Sequence, residues 1–558
     1  MSALRRGGVD LPLAADRAGP APLTIQIVGQ LRAAMTDGQL AAGDRLPSTR
    51  ALAATLGVSR TVVTGAYAQL FAEGWIEGRH GSGTYIADGA STSDGAGVPA
   101  GASTPGGAGA SAGARVPAGA GASAGASTPG GVGASAGARV PAGPRASGGA
   151  SRADAGAGEG ADGRAADGRA GHGWQLGELA GRGWQPGGQI GRAGPDRPPI
   201  ELRPGIPWTA GIDRDAWRRA WRSAGAEAPS AATEPQGSAA LRAALTGYLQ
   251  RSRAVRCGPG QVMVTRGVAG SLGLIAAALL RPGDRVGVEE PGYPAARAVF
   301  AAHGARLVPC PVDADGLVVD ALPAGLRLIY TTPAHQYPLG GRLPVPRRQA
   351  LIAWARSTGA LIVEDDYDGE FRYDVGPLPA LFGLDPGVVV YLGTTTKILT
   401  PALRVGWLVA GHELVARLAE AAAGLGEWAG GPAQRAVLSL IGTGDLERHV
   451  RRMRHEYARR RAAMTAVLGG GDAGGAGSAG RLLGEEAGMH MVLRTGRDAE
   501  EIAREAWERG VAVATLARYF AGPVTVNGLV LGYGGAGSDE ITQACRLLAG
   551  LAAGQEVP

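Results

Sequence analysis

The chain has 558 residues, a formal net charge of +6 and three cysteines, Cys257, Cys310 and Cys545, without paired spacing, so neither a disulfide framework nor a cysteine metal cluster is expected. Its first residues, MSALRRGGVD, lack the apolar core of a signal peptide, and the apolar run 273–280 is far below the ~20 residues of a membrane span; a soluble, cytoplasmic protein is the expectation. Bulk charge does not by itself indicate nucleic acid, because residues 1–87 carry eight arginines against six acids. Within the basic set, 54 residues are arginine and a single one, Lys397, is lysine. A guanidinium stays protonated and forms no Schiff base, so a position that needs a deprotonatable amine is where a lysine would resist such a bias.

In chain order, residues 23–87 read as three helices and a hairpin. The first helix carries Ile27, Leu31, Ala34 and Met35 at helical spacing and ends at Gly38. Ser48 caps a second helix with Leu52 and Leu56 facing inward, and Gly57 makes the turn. Ser59 caps a third with Val62, Val63, Ala66 and Leu70 inward, closed by Gly74. Strand, glycine turn and strand follow through Trp75-Ile76, RHGSG and Thr84-Tyr85-Ile86. Two tightly joined helices followed by such a hairpin predict a winged helix-turn-helix over residues 1–87.

From 88 to 198 periodicity is lost. GASTPGGAGASAGARVPAGA at Gly101 recurs almost unchanged at Gly125, and HGWQLG and RGWQPG echo one another around Trp174 and Trp184. Repeats of this length can mark a solenoid, but these hold almost nothing bulky and apolar to bury. They predict a disordered, flexible linker with an end-to-end distance of roughly 55–60 Å.

Residues 199–558 alternate short apolar strands, ending at Val264, Val288, Tyr330, Val363 and Leu392, with helix-length amphipathic stretches. That pattern predicts an α/β domain with a largely parallel sheet. After Gly480 a smaller α+β unit follows, with strands at 489–493 and 529–533 and helices at 499–509 and 539–551. The lone lysine sits in YLGTTTKILTPALRVG, after an apolar strand, with Thr394 and Thr396 before it and Arg404 seven residues on. Another strand, LIV, ends in EDDY. Strand ends are where α/β sheets bind ligands. An amine, a strand-end carboxylate, a phenol, hydroxyls and an arginine are what pyridoxal 5'-phosphate requires, for its aldehyde, its pyridine nitrogen, its ring oxygen and its phosphate. No pair of histidines and acids has metal-ligand spacing, so no metal is expected.

EDDYDGEFRY at 364–373, followed by GTTTK and PALRVG, resembles fold-type I aminotransferases and, more closely, the MocR/GabR family of regulators. RPGIP at Arg203, GSAALR at Gly237, TPAHQYPLG at Thr332 and GDLERHVRRMR at Gly444 extend the resemblance across 199–558. It implies a large cofactor domain with a small C-terminal part from about 480, Lys397 as the Schiff-base lysine, Asp365 as partner of the pyridine nitrogen and Tyr367 on the ring oxygen. Arg404, Thr394 and Thr396 fall on the phosphate, and Gly267, Val268 and Ala269, opening a helix, offer it backbone N–H groups. Tyr293 in EEPGYP stands where an aromatic stacks on the ring. Two departures accompany these matches. Tyr337 takes the place of the asparagine that aminotransferases usually carry, leaving His335 or Gln336 to cover that contact. Val530 stands where many carry the arginine that clamps a substrate carboxylate. Efficient transamination of an α-amino acid is therefore not expected.

Residues 43–86 resemble the GntR-type winged helix, whose third helix lies in the major groove. Matched residue by residue, Arg50, Ser59, Arg60, Thr61 and Thr64 would face double-stranded DNA, with His80 and Gly81 of the wing. Arg60 suits a guanine edge, and Ser59 and Thr61 suit phosphates. The resemblance implies a DNA-binding regulator that senses pyridoxal phosphate, an amine or an amino acid and forms a head-to-tail homodimer on a repeated half-site. A working aminotransferase with an accessory DNA-binding head is the alternative.

Overall fold

A computed structural model describes residues 13–17, 22–72, 75–79, 83–87, 198–228, 231–373, 379–469 and 480–555. The expected linker, with Trp174 and Trp184, lies outside the described residues, as do Gly74, His80 and Gly81.

The N-terminal unit has helices α1 (Leu23–Thr36), α2 (Thr49–Leu56) and α3 (Arg60–Ala72) and an antiparallel hairpin of β1 (Ile76–Arg79) and β2 (Gly83–Ile86). Local sequence explains the boundaries. Ser48 Oγ accepts from Ala51 N at 3.2 Å and Ser59 Oγ from Val62 N at 3.4 Å, each satisfying an amide that the first helical turn leaves unpaired. Gly57, at φ +63°, ends α2 in the left-handed conformation. The inward residues Ile27, Leu31, Met35, Leu52, Val63, Ala66 and Leu70 form one core with Trp75 and Ile86; Leu56 and Val62 are only partly buried against it. The Tyr67 hydroxyl donates to Pro47 O at 2.7 Å, tying α3 to the start of α2.

The C-terminal region opens with β3 (Ile200–Glu201), and its main sheet has eight strands: β4 (Val262–Thr265), β5 (Arg285–Glu290), β6 (Arg306–Asp313), β7 (Gly316–Leu317), β8 (Leu328–Thr331), β9 (Leu361–Asp365), β10 (Val389–Thr394) and β11 (Gly406–Val409). Their spatial order is β4-β11-β10-β9-β8-β5-β6-β7. The pairs from β10 through β9, β8 and β5 to β6 are parallel, while β11 is antiparallel to both of its neighbours and β7 to β6. Alternate residues serve opposite faces. Tyr330, Val363, Val390 and Leu392 enter one core, and Ile329, Ile362, Val389 and Tyr391 the other, which is why these strands read as continuous apolar runs.

The smaller unit is a sheet ordered β12-β13-β16-β15. Its strands are β12 (Arg481–Leu483), β13 (His490–Arg494), β15 (Ala514–Thr515) and β16 (Gly528–Gly532), with helices Ala499–Glu508 and Ser538–Ala552. β13, β16 and the two helices lie within a residue or two of the expected spans, while β12 and β15 were not expected. One pairing has no local sign: β14 (Val511–Ala512) runs parallel to β3, so the first residues of the C-terminal region belong with its last unit.

Candidate functional site

The carboxyl ends of β8, β9 and β10 lie side by side, and the candidate residues gather there. Lys397 follows β10, and its Nζ donates to Gly205 O at 2.7 Å. Gly205 has φ +85°, and a Cβ on it would come 2.7 Å from that nitrogen, so only glycine fits beside the amine. Burial holds the ammonium below its ordinary pKa, against the pull of Asp368 and then Asp365.

Asp365 ends β9 and is 3 % exposed. Its Oδ2 accepts from the Tyr330 hydroxyl at 2.5 Å, while its Oδ1 is buried without a partner. Burial pushes the carboxyl up to about 7, Tyr330 opposing and Asp366 reinforcing the rise. An orphaned carboxylate oxygen in the interior is costly, and it is the position a protonated ring nitrogen would satisfy.

The other acids of EDDYDGEFRY take separate partners. Glu364 accepts from the Leu381 and Phe382 amides at 2.9 and 3.1 Å. Asp366 pairs with Arg253, both almost wholly buried, and also accepts from the Tyr391 hydroxyl at 2.8 Å. Asp368 Oδ2 lies 3.0 Å from His335 Nδ1, and Glu370 accepts from the Tyr248 hydroxyl at 2.9 Å. The Tyr367 hydroxyl donates to His335 O at 3.0 Å. Arg253 also donates to Gly369 O at 3.0 Å, so one buried guanidinium clamps the turn that presents Asp365, Tyr367 and Asp368.

At the end of β10, the Thr394 and Thr396 hydroxyls lie 3.0 Å apart. Gly267, at φ +79°, opens the helix Gly267–Leu279, with Val268 and Ala269 in its first turn. A Cβ on Gly406 would approach Gly267 Cα to 2.7 Å, so the helix N-terminus presses against the start of β11. Arg404, exposed and left-handed at φ +51°, bears on the Tyr293 phenol. Tyr293 meets Tyr337 edge to face at 5.8 Å. Of the two residues offered as substitutes for the missing asparagine, His335 packs on Tyr367, ring centroids 6.1 Å apart. Gln336 is engaged elsewhere: its amide donates to Pro291 O and Tyr337 O at 2.9 and 2.8 Å and to Glu289 at 3.1 Å. Val530 is fully buried in β16, in a cluster with Tyr337 and Tyr519.

Tyr330, Arg253, Asp368 and His490 escaped the sequence reading. Tyr330 carried only the signal of a strand end and Asp368 only its place in EDDYDGEFRY, while Arg253 and His490 carried none. His490 Nε2 lies 3.0 Å from Pro338 O, and the possible ligand atoms of His335, Asp368 and His490 fall within 4.8 Å of one another. Sequence spacing had suggested no metal set here. His335 Nδ1 also lies 3.0 Å from the Tyr367 hydroxyl, and the His335 and His490 rings are 5.0 Å apart.

In the N-terminal unit, Arg50, Ser59, Arg60, Thr61 and Thr64, expected to face DNA, are all exposed. Arg60, Thr61 and Thr64 share one face of α3 by their i, i+3 and i, i+4 spacing, and Arg60 Nε reaches Thr49 Oγ1 at 3.4 Å.

Residues 23–86 match the model of the bacterial regulatory proteins of the gntR family, and residues 211–521 that of aminotransferase class I and II. The HTH-type pyridoxine biosynthesis transcriptional regulator PdxR of Corynebacterium glutamicum is 31% identical, over 95% of this chain and 96% of its own. The probable rhizopine catabolism regulatory protein MocR of Rhizobium meliloti is 32% identical, over 94% of this chain and 92% of its own. Among solved structures, an archaeal alanine:glyoxylate aminotransferase aligns with TM-score 0.60 and 26% identity, over 64% of this chain and 91% of that one.

Proposed function

The chain belongs to the MocR/GabR family of transcriptional regulators, a GntR-type head joined to an aminotransferase-like domain, and on that premise we propose that it carries pyridoxal 5'-phosphate on Lys397 and reports this cofactor, or an amine that reaches it, to a DNA-reading head. Residues 1–87 form the head, 88–198 the tether and 199–558 the sensor, whose small part begins near 480. The observation that supports the cofactor assignment is that the lone lysine lies within the electrostatic reach of Asp365, whose Oδ1 is buried with no partner among the described residues.

When bound, the cofactor supplies a conjugated aldehyde that condenses with an amine and absorbs visible light. The chain's own residues do the rest. Burial keeps the Lys397 amine poised to lose its proton. Asp365 would hold a proton on the ring nitrogen, and the hydrogen bond from Tyr330 favours its ionised form against the push of burial. Thr394, Thr396, the amides of Gly267, Val268 and Ala269, and Arg404 receive the phosphate. Tyr367, whose hydroxyl donates to His335 O, would offer that hydroxyl to the ring oxygen, Tyr293 would cover the ring, and His335 would stand where the missing asparagine would.

The donor bond from Tyr330 makes a prediction. A hydrogen bond to a charged group contributes about 1.5–3 kcal/mol, so Tyr330→Phe should weaken pyridoxal phosphate binding by about tenfold or more and displace the pH midpoint of the bound visible band. Spectrophotometric titration checks both; an unmoved midpoint would mean that Tyr330 only fills space.

In the head, Arg60 near the start of α3 is proposed to read a base edge, with Arg50, Ser59, Thr61 and Thr64 on the backbone and the wing, through His80 and Gly81, on the adjoining groove. Arg60→Ala should cost about 1–3 kcal/mol on the specific site and much less on random DNA. Equal losses on both, in competition binding, would make it a phosphate contact.

A cytoplasmic homodimer, head to tail, completes the reading; among the described residues no helix is long and apolar enough to cross a membrane. Footprinting of the DNA beside the protein's own coding region, with and without pyridoxal phosphate, tests the whole. A footprint indifferent to the cofactor would sink the sensing role. The enzyme alternative predicts steady keto-acid production on adding amino acids, and the buried Val530 speaks against it, since no guanidinium stands at that position to clamp a carboxylate.

A further inference from the structure

Of the acids near Lys397, Asp365 is committed to the ring nitrogen, and Asp368, held by His335, is given no cofactor contact. Asp368 is buried, acts on the Lys397 amine more strongly than Asp365 does, and lies 3.0 Å from His335 Nδ1. The wall beyond it is aromatic. Tyr337 packs edge to face on His490 at 5.1 Å, on Tyr519 at 5.3 Å and on Tyr367 at 5.4 Å, and its hydroxyl donates to the Tyr519 hydroxyl at 3.3 Å.

This wall offers an anion little. His490 is pushed down to about 3 by burial and by His335, so its ring is neutral. With Pro338 O accepting from Nε2, Nδ1 is left as a lone pair. Val530 lies fully buried in the cluster holding Tyr337 and Tyr519. Arg404 belongs to the phosphate side. Arg518 stands at the rim, exposed, with its guanidinium carbon 5.8 Å from the centre of the Tyr519 ring. A carboxylate placed inside would lose its water beside an acid, without a bidentate partner. An ammonium there would meet the Asp368 carboxylate among neutral aromatic side chains, surroundings that favour a cation over an anion.

We propose that the ligand received beside Lys397 is an amine that carries a second cationic group and no carboxylate, a short diamine being the simplest, with Asp368 receiving the far ammonium. The inference rests on the cofactor reading above and names the class of molecule that reading leaves open.

The test uses the full chain loaded with pyridoxal phosphate. Three probes of matched carbon chain are titrated: 1,4-diaminobutane, 1-aminobutane, and ornithine, which adds a carboxylate to the diamine. The visible band and retention of bound DNA are read together. The diamine should act at a concentration about tenfold or more below either of the others. In Asp368→Asn the ratio between diamine and monoamine should fall toward one; because both probes are read on the same loaded sample, a change in loading cancels. Ornithine acting as well as the diamine would overturn the proposal, and Arg518→Ala would then show whether that arginine holds the carboxylate. It would also be overturned by an unchanged ratio in Asp368→Asn, or by a band that no amine perturbs. A chain that forms no visible band at all would instead remove the cofactor reading, and this inference with it, which distinguishes the two failures.

Discussion

Lys397→Ala, incubated with pyridoxal phosphate, should stay colourless and give no mass adduct after borohydride treatment, while the wild-type chain gains a single adduct on the peptide containing GTTTK. The expected effect is complete loss because the chain has no second lysine to take over the condensation. Lys397→Arg should fail equally: a guanidinium keeps the charge but forms no stable imine at neutral pH. Both variants should fold, since the side chain of Lys397 makes a single described hydrogen bond, to Gly205 O. A visible band or an adduct surviving in either variant would remove Lys397 from the role and leave the scarcity of lysine as base composition alone.

Arg253→Met carries the largest expected loss of stability. Arg253 and Asp366 are almost wholly buried, 0% and 1% exposed in their side chains. The guanidinium uses two nitrogens on Asp366 and a third on Gly369 O. Removing the cation leaves Asp366 charged in the interior beside Glu364 and Glu370, both already pushed up to about 7 chiefly by burial and next by Asp366. Breaking a buried pair from one side typically costs about 3–5 kcal/mol, a large share of the roughly 5–15 kcal/mol that holds a domain folded. Denaturant unfolding of the C-terminal region should show it. Arg253→Met combined with Asp366→Leu should recover much of the loss, since replacing both charges with apolar groups can be neutral. If the double variant were no better than the single one, the cost would lie in packing and in the lost Gly369 contact rather than in the stranded acid.

The reactive groups and the elements that carry them are legible in the residues themselves. One lysine among 54 arginines marks the reactive amine. Caps at Ser48 and Ser59, periodic apolar residues and apolar runs place α1 to α3 and most strands of the large sheet within a residue or two, because these signals arise from backbone amides and side-chain periods within a single turn or strand. The tertiary structure alone decided what each acid of EDDYDGEFRY does. Neighbours at a strand end point to opposite faces, and their partners come from far along the chain, Tyr330 35 residues from Asp365 and Arg253 113 residues from Asp366. The same distance hides the antiparallel insertion of β11, the docking of β3 on β14, and the neutrality of His490. A side chain's charge in the interior depends on which remote groups are folded against it, and no local pattern of residues encodes that.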